Sequence, residues 1–321
     1  MWHLFTLAVL LPISLSRNFK RNDEITSSSI FKVEQIVFSS NFNITRIYVP
    51  VDGKYVHSND IPSIFFTVSD PKLDGGSCVY VLEGFAAYEI LEGGRDTTAG
   101  YGVDRSVYIG AKDGMYRYDP DTLSAKRYGI FKDNIMLIQK ANGTEAFYIL
   151  TNENKLFKLE NNGTVKTRIV PVDCAKDFVV DTSNNIYYIP CTDHLPKIVQ
   201  ANGTVLAINV FEDLRDIKLL RPAFVMEDCI PFFGDGWLYL LYSNGTGHRK
   251  DFAIKERPSA YSVDAALYLV AALNGKIYEF NVMEVLLKSM FGMINEWPRD
   301  VSKMVLSMME TAKETVYSYY V

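Results

Sequence analysis

Residues 107–129 read VYIGAKDGMYRYDPDTLSAKRYG, and two later segments repeat their plan, FYILTNENKLFKLENNGTVKTRIV from Phe147 and YYIPCTDHLPKIVQANGTVLAINV from Tyr187. In each, an apolar-aromatic strand is followed by a polar turn, a second strand of alternating pattern, a turn with Asn or Asp, and a third strand. Tyr108, Tyr148 and Tyr188 fall 40 residues apart, and Tyr116, Phe157 and Ile198 fall 41 apart, so the period holds at two places in the unit. Looser copies flank these segments: IFFTVS with CVYVLEG over 64–84, WLYLLYS over 237–243, and LYLVAALNGKIYEF over 267–280. That makes six units. A repeat of about 40 to 45 residues holding about four short strands is the pattern of a propeller blade, which cannot bury both of its faces without neighbours. The chain is therefore expected to be all-β, a six-bladed β-propeller over residues 17–281. Its Val, Ile, Tyr and Phe supply the pleated surfaces on which blades pack.

Both ends depart from the repeat. Leu4 to Leu15 form an apolar run too short to span a bilayer, followed by Arg17, Lys20 and Arg21. With Ser14-Leu15-Ser16 as a small-x-small cleavage site, residues 1–16 read as a secretory signal peptide and the protein as secreted and extracellular. Residues 282–321 lose strand alternation and space Val301, Met304, Val305, Met308, Met309, Ala312 and Val316 at a helical rhythm. This C-terminal helical extension, broken near Trp297-Pro298, is expected to pack across the propeller rim. It lacks a clustered Lys/Arg face, so no membrane partner is expected.

The composition agrees with a large folded core: 48% of the 321 residues are hydrophobic and 22% charged. A net charge of -5 leaves no general surface for neutralising phosphates, so nucleic acid is not expected as a partner. Four cysteines, Cys78, Cys174, Cys191 and Cys229, permit two disulfides. Cys174 and Cys191 flank a hairpin that turns at Thr182–Asn185, which brings them level and favours their pairing. Five acceptor triplets for N-glycosylation begin at Asn43, Asn142, Asn162, Asn202 and Asn244. Asn-Gly is also a preferred two-residue hairpin turn, and a hairpin tip is exposed, so the two uses are compatible.

Catalytic motifs are sparse. There is no Gly-x-Ser-x-Gly elbow, His-Glu-x-x-His, dinucleotide fingerprint or phosphate loop, and His57, His194 and His248 fall outside metal-ligand spacing. No cofactor and no metal are expected. One segment does attract attention: LEGGRDTTAG at 91–100, in which Gly93 and Gly94 precede Arg95, Asp96, Thr97 and Thr98. Read as a loop, it offers Arg95 as partner for a carboxylate and the Thr97 and Thr98 hydroxyls as donors. A plain turn with an Arg95/Asp96 surface pair is the bland alternative. Trp237 and Tyr239 are candidate stacking surfaces for a flat ligand.

The stretch from Gly93 through Ile138, with NKLFKLENNGTVKTRIVPVDCAKDFVVDTSNNIYYIP over 154–190, resembles the ommochrome-binding proteins of moth and butterfly haemolymph. The likeness includes Tyr108 to Asp119, Ser124-Ala125-Lys126 and the IFFTVS strand at Ile64. It implies a secreted, non-enzymatic carrier of ommochrome pigments or related tryptophan- and kynurenine-derived metabolites, with Arg95, Thr97, Thr98, Trp237 and Tyr239 as ligand contacts. FVVDTSNNIYYIPC also resembles a hairpin of six-bladed lactonases and alkaloid-condensing enzymes. Where the calcium-dependent lactonases commonly place an Asp ligand, this chain has Pro190 and Cys191, which offer no hard oxygen. A propeller enzyme of that type is the alternative reading; a propeller that binds another haemolymph protein through its rim loops is a third.

Overall fold

The computed structural model describes residues 31–50, 63–100, 106–208, 211–222, 226–253, 256–263 and 268–281. The leader expected at 1–16 and the helical extension expected at 282–321 lie outside them. The described residues form six four-stranded antiparallel sheets arranged as the blades of a ring. Strand β1 (Ile36–Ser39) precedes blade 1, made of β2 (Asn43–Tyr48), β3 (Ser63–Ser69), β4 (Ser77–Glu83) and β5 (Ala86–Glu92). Blade 2 holds β6 (Gly94–Ala99), β7 (Val107–Ala111), β8 (Gly114–Asp119) and β9 (Ser124–Tyr128). Blade 3 holds β10 (Ile135–Lys140), β11 (Phe147–Thr151), β12 (Leu156–Glu160) and β13 (Val165–Arg168). Blade 4 holds β14 (Ala175–Val180), β15 (Ile186–Pro190), β16 (Lys197–Val199) and β17 (Val205–Ala207). Blade 5 holds β18 (Ile217–Leu219), β19 (Cys229–Gly234), β20 (Trp237–Tyr242) and β21 (Gly247–Ala253). Blade 6 holds β22 (Ala260–Val263), β23 (Tyr268–Leu273) and β24 (Lys276–Asn281), and β1 pairs with β24 as its outer strand. The first and last parts of the propeller thus share one sheet, which closes the ring and removes two free edges.

The repeat read from the sequence covers three of the four strands in each of blades 2–4. Tyr108, Tyr148 and Tyr188 lie on the second strands and are buried; Tyr116, Phe157 and Ile198 lie on the third. Side chains of alternating direction leave both faces of a blade apolar, so each interface is a sandwich of two blades. Ile44 and Phe66 pack with Ala260 and Ile277 between blades 6 and 1, and Phe65 and Val81 with Ile109 and Tyr118 between blades 1 and 2. Tyr108 and Met115 meet Ile138 and Phe147, Tyr148 and Leu150 meet Phe178 and Tyr188, and Tyr187 and Ile198 meet Phe232 and Leu241. Phe233 packs edge-on against Tyr261, centroids 5.9 Å apart, between blades 5 and 6.

The strand that begins each blade lies innermost. β6 packs on both β2 and β10, and β2 on β22, so these strands form the wall of the central axis. Segment 94–99, read from the sequence as a loop, is one of them. Small residues suit this crowded position: a Cβ on Gly94 would sit 2.7 Å from Val79 Cγ2. Four innermost strands carry a bulge near their start, with Thr45, Arg95, Met136 and Lys176 as the extra residues. A bulge turns a side chain away from the regular alternation, here at one end of the axis.

Polar side chains join neighbouring blades where the innermost edges have no further strand to pair with. Gln139 donates from Nε2 to Val180 O (2.6 Å) and accepts from Val180 N (2.8 Å), acting as a short substitute strand between blades 3 and 4. Asn142 donates to Thr182 O while Asn184 donates to Asn142 O and accepts from Asn142 N. Thr67 Oγ1 donates to Arg95 O, Ser259 Oγ to Ile44 O, and Ser262 Oγ accepts from Val49 N. Cys174 and Cys191 are bonded, with Cα atoms 5.5 Å apart at the end of the β14–β15 hairpin, as the hairpin reading required. Cys78 and Cys229 are free thiols, both buried.

Candidate axial binding site

The sequence candidates divide between two places. Arg95, Thr97 and Thr98 share β6, on the axis, whereas Trp237 and Tyr239 are on β20, the third strand of blade 5. Tyr239 is stacked on Phe232 (5.0 Å) and meets Phe211 edge-on within the core between blades 4 and 5. Trp237 is covered by the Arg249 guanidinium at 4.6 Å on the outer hairpin of blade 5. The five residues are therefore not brought together. A third strand is separated from the axis by the two strands inside it, which no local pattern of aromatic residues reveals.

On β6 the roles also differ from those read in a loop. Thr98 Oγ1 accepts from Lys140 N (3.0 Å), and Thr97 is buried with its carbonyl engaged by Arg221. Asp96 is only 2% exposed, not part of a surface pair. Its Oδ2 accepts from Ile138 N (2.8 Å) and from the Arg221 guanidinium, which also donates to Thr97 O (2.5 Å) and Ile138 O (2.7 Å). Arg221 follows β18 in blade 5, which stands opposite blade 2 in a ring of six, so its side chain crosses the axis. The guanidinium also lies 5.7 Å from the Tyr48 ring of blade 1. One cation thus ties four blades together and blocks the axis at this level. The sequence reading did not single out Arg221; no motif marks it, and its partner Asp96 is 125 residues away.

Beside this closed level the innermost strands present charges that are not paired. Arg95 keeps a buried Nε with no hydrogen-bond partner, and its Nη1 rests 2.7 Å from Met136 Sδ of the next bulge. Among the described residues, no hydrogen bond or ion pair engages the Arg46 guanidinium on β2, and Lys176 on β14 is exposed. Asp177, on β14 opposite β2, accepts from its neighbour Phe178 N (3.0 Å) and, among the described residues, from no other donor. It retains some solvent contact but is surrounded by protein atoms, as expected for a group facing a narrow channel. Burial pushes the Asp177 carboxyl up, against the lowering pull of Arg46 and Lys218. Lys218 on β18 is brought down to about 8, first by burial and then by repulsion from Arg46. Its Nζ donates to Ser259 O and lies 5.7 Å from the Tyr261 ring. The Tyr261 hydroxyl on β22 is buried and makes no hydrogen bond. Desolvation raises its pKa well above the usual phenol range, with Asp177 adding to the effect. Among the described residues no three His, Cys, Asp or Glu side chains converge in a metal-binding group.

Four of the five glycosylation triplets lie at the opposite end of the strands. Asn142 is in the turn between the first and second strands of blade 3; Asn162, Asn202 and Asn244 are in the turns between the third and fourth strands of blades 3, 4 and 5. Antiparallel strands place both kinds of turn at the ends where the innermost strands finish. Asn43 opens β2, at the charged end. Asn43, Asn162, Asn202 and Asn244 are exposed, whereas the Asn142 amide is committed to the Thr182 carbonyl. Of the Asn-Gly pairs in these triplets, only Asn162-Gly163 has both residues at positive φ. The tight hairpins of that kind use Asp235-Gly236 and Asn274-Gly275 instead.

No family model and no curated protein matches the chain. Solved structures do. A Bacteroides thetaiotaomicron protein of unknown function is 13% identical, with a TM-score of 0.55 over 77% of this chain and 71% of that one. A gluconolactonase from Xanthomonas campestris is 9% identical, with a TM-score of 0.50 over 76% of this chain and 87% of that one. At such identities these likenesses show a shared fold alone. They agree with the six blades and leave the chemistry to the residues on the axis.

Proposed function

We propose that the protein binds an anionic small molecule at the end of the axis where the innermost strands begin. The observation that carries this reading is the charge at that end. Arg46, Arg95, Lys176 and Lys218 gather there in a chain whose net charge is -5. Two donors, Arg95 Nε and the Tyr261 hydroxyl, are buried without acceptors, an arrangement that costs free energy and is relieved by an oxyanion. The Arg221 bridge closes the axis beyond these groups, which suits a binding site more than a passage.

The resemblance to ommochrome-binding proteins narrows the ligand to a flat, carboxylate-bearing pigment and the role to a carrier. The test is an absorbance titration of the purified protein with xanthommatin. Saturable binding is expected, and Arg95→Ala is expected to weaken it by about 1.5 to 3 kcal/mol, as loss of a charged hydrogen bond does. Absence of binding in the wild-type protein overturns the carrier reading, and unchanged affinity in the variant removes Arg95 from the site.

A second reading, a propeller enzyme acting at the same place, is favoured by one observation. Asp177 and Lys218 face the axis with pKa values displaced in opposite senses, up and down, and such pairs are enriched at catalytic centres. The fold shared with a gluconolactonase makes a sugar lactone the first substrate to try. Acid release from glucono-δ-lactone above the uncatalysed rate, lost in Asp177→Asn, would support the enzyme; binding without turnover supports the carrier.

A further inference from the structure

We propose that the axial site takes a ligand bearing both a carboxylate and an ammonium group, as an α-amino acid does, held between Arg46 and Asp177. The inference rests on the reading of the axis as a small-molecule site and goes further in naming the second charge that the ligand must carry.

Arg46 and Asp177 lie on β2 and β14, the innermost strands of blades 1 and 4, which face each other across a ring of six. Arg46 pulls on the Asp177 carboxyl, yet among the described residues no ion pair joins the two. The other axial carboxylate is differently placed. Asp96 is bonded to Arg221 and to a backbone N–H, so it is satisfied within the protein. Asp177 uses one oxygen for Phe178 N and leaves Oδ2 without a protein donor. The space between the two strands therefore has an unpaired cation on one side, an unpaired carboxylate on the other, and the Tyr261 hydroxyl buried without a partner beside them.

Opposite charges held apart in a low-dielectric channel are costly separately, and the ligand that relieves both has its own charges in the complementary order. A simple anion would neutralise Arg46 but bring a second negative charge toward Asp177. A simple cation would satisfy Asp177 and be repelled by Arg46, Arg95 and Lys218. A zwitterion meets neither penalty: its carboxylate accepts from Arg46 and Tyr261, and its ammonium donates to Asp177 Oδ2. The Tyr261 ring lies 5.7 Å from Lys218 Nζ, so an aromatic side chain suits the surroundings.

Three probes of one shape separate these cases by calorimetric titration of the full-length protein: L-phenylalanine, 3-phenylpropanoate and 2-phenylethylamine. L-phenylalanine is expected to bind at least about tenfold more tightly than either singly charged compound, the gain of one charge-assisted hydrogen bond. Asp177→Asn is expected to erase the advantage over 3-phenylpropanoate while leaving 3-phenylpropanoate binding at least as tight. Equal or tighter binding of 3-phenylpropanoate by the wild-type protein would overturn the ammonium subsite and leave the anion site standing. Binding of none of the three would overturn the inference too, and the xanthommatin titration would then decide the anion site by itself. The wild-type comparison suffices if the variant fails to fold.

Discussion

The two ends of the innermost strands differ in how their polar groups are treated. Where the strands finish, Gln139 satisfies both backbone groups of Val180, Thr98 takes the Lys140 N–H, Ser262 takes the Val49 N–H, and the Asn184 amide satisfies the backbone N–H and C=O of Asn142. Where the strands begin, Arg46, Arg95 Nε, Asp177 Oδ2 and the Tyr261 hydroxyl have no such partners. The first end behaves as a scaffold, in which polar groups specify how blades meet. The second keeps hydrogen-bonding capacity unspent, which a folded protein tolerates where a ligand uses it. Between the two, Arg221 and Asp96 belong to the scaffold although they lie on the axis.

This contrast can be broken by substitution. The largest effect is expected for Asp96→Asn, which leaves Arg221 with its carbonyl acceptors but without a counter-charge. Loss of a partner from a largely buried ion pair costs about 3 kcal/mol or more, to be read from urea unfolding. A loss under about 1 kcal/mol would place Arg221 with the ligand-facing charges. Gln139→Leu is expected to cost about 2 kcal/mol, because it strands the Val180 N–H and C=O at a buried edge without replacing them. A neutral result would mean that water takes the place of the amide and that the two ends are less different than their hydrogen bonds suggest.

The smallest effect sharpens the contrast from the charged end. Lys218 titrates near 8 in the folded protein against 10.5 for an ordinary lysine. Between those values the unfolded chain binds the proton and the folded one does not, so stability rises with pH across this window. The contribution is complete above about 10.5 and is lost as pH falls through about 8. In Lys218→Met this part of the slope is expected to vanish, so the stability difference between variant and wild type should change with pH between 8 and 10.5. A constant difference over that range would show that Lys218 is not desolvated by its neighbours on the axis.

Much of the fold was legible in the sequence because second and third strands are buried on both faces and repeat their aromatic residues. The innermost strands were not. GRDTTA at 94–99 resembles a loop, since a strand at a crowded axis favours small and polar residues over the branched ones that mark a strand elsewhere. Of the proposed ligand contacts, Arg95 reached the charged end and Trp237 and Tyr239 did not. A signal for the missed residues did exist: Arg95 and Met136 are 41 residues apart, as are Asp177 and Lys218, so carrying the blade period inward from Tyr108 and Tyr148 would have pointed to them. Arg221 falls on the same step, 41 residues after Val180 and 82 after Gln139, but nothing local marks the arginine at that position as a bridge to Asp96.

By itself, the sequence determined the repeat, and through it six blades, along with the Cys174–Cys191 hairpin and the overall negative charge. These follow from patterns within about 40 residues, where burial alternates with the pleat and turns are dictated by Asn, Asp and Gly. Only the tertiary structure decided which side chains meet across the axis, as Arg221 and Asp96 do, and which come within electrostatic reach of each other, as Arg46 and Asp177 do. Their encounter depends on the number of blades and on β1 closing the ring against β24, and a residue's distance along the chain says nothing of its distance across a closed circle.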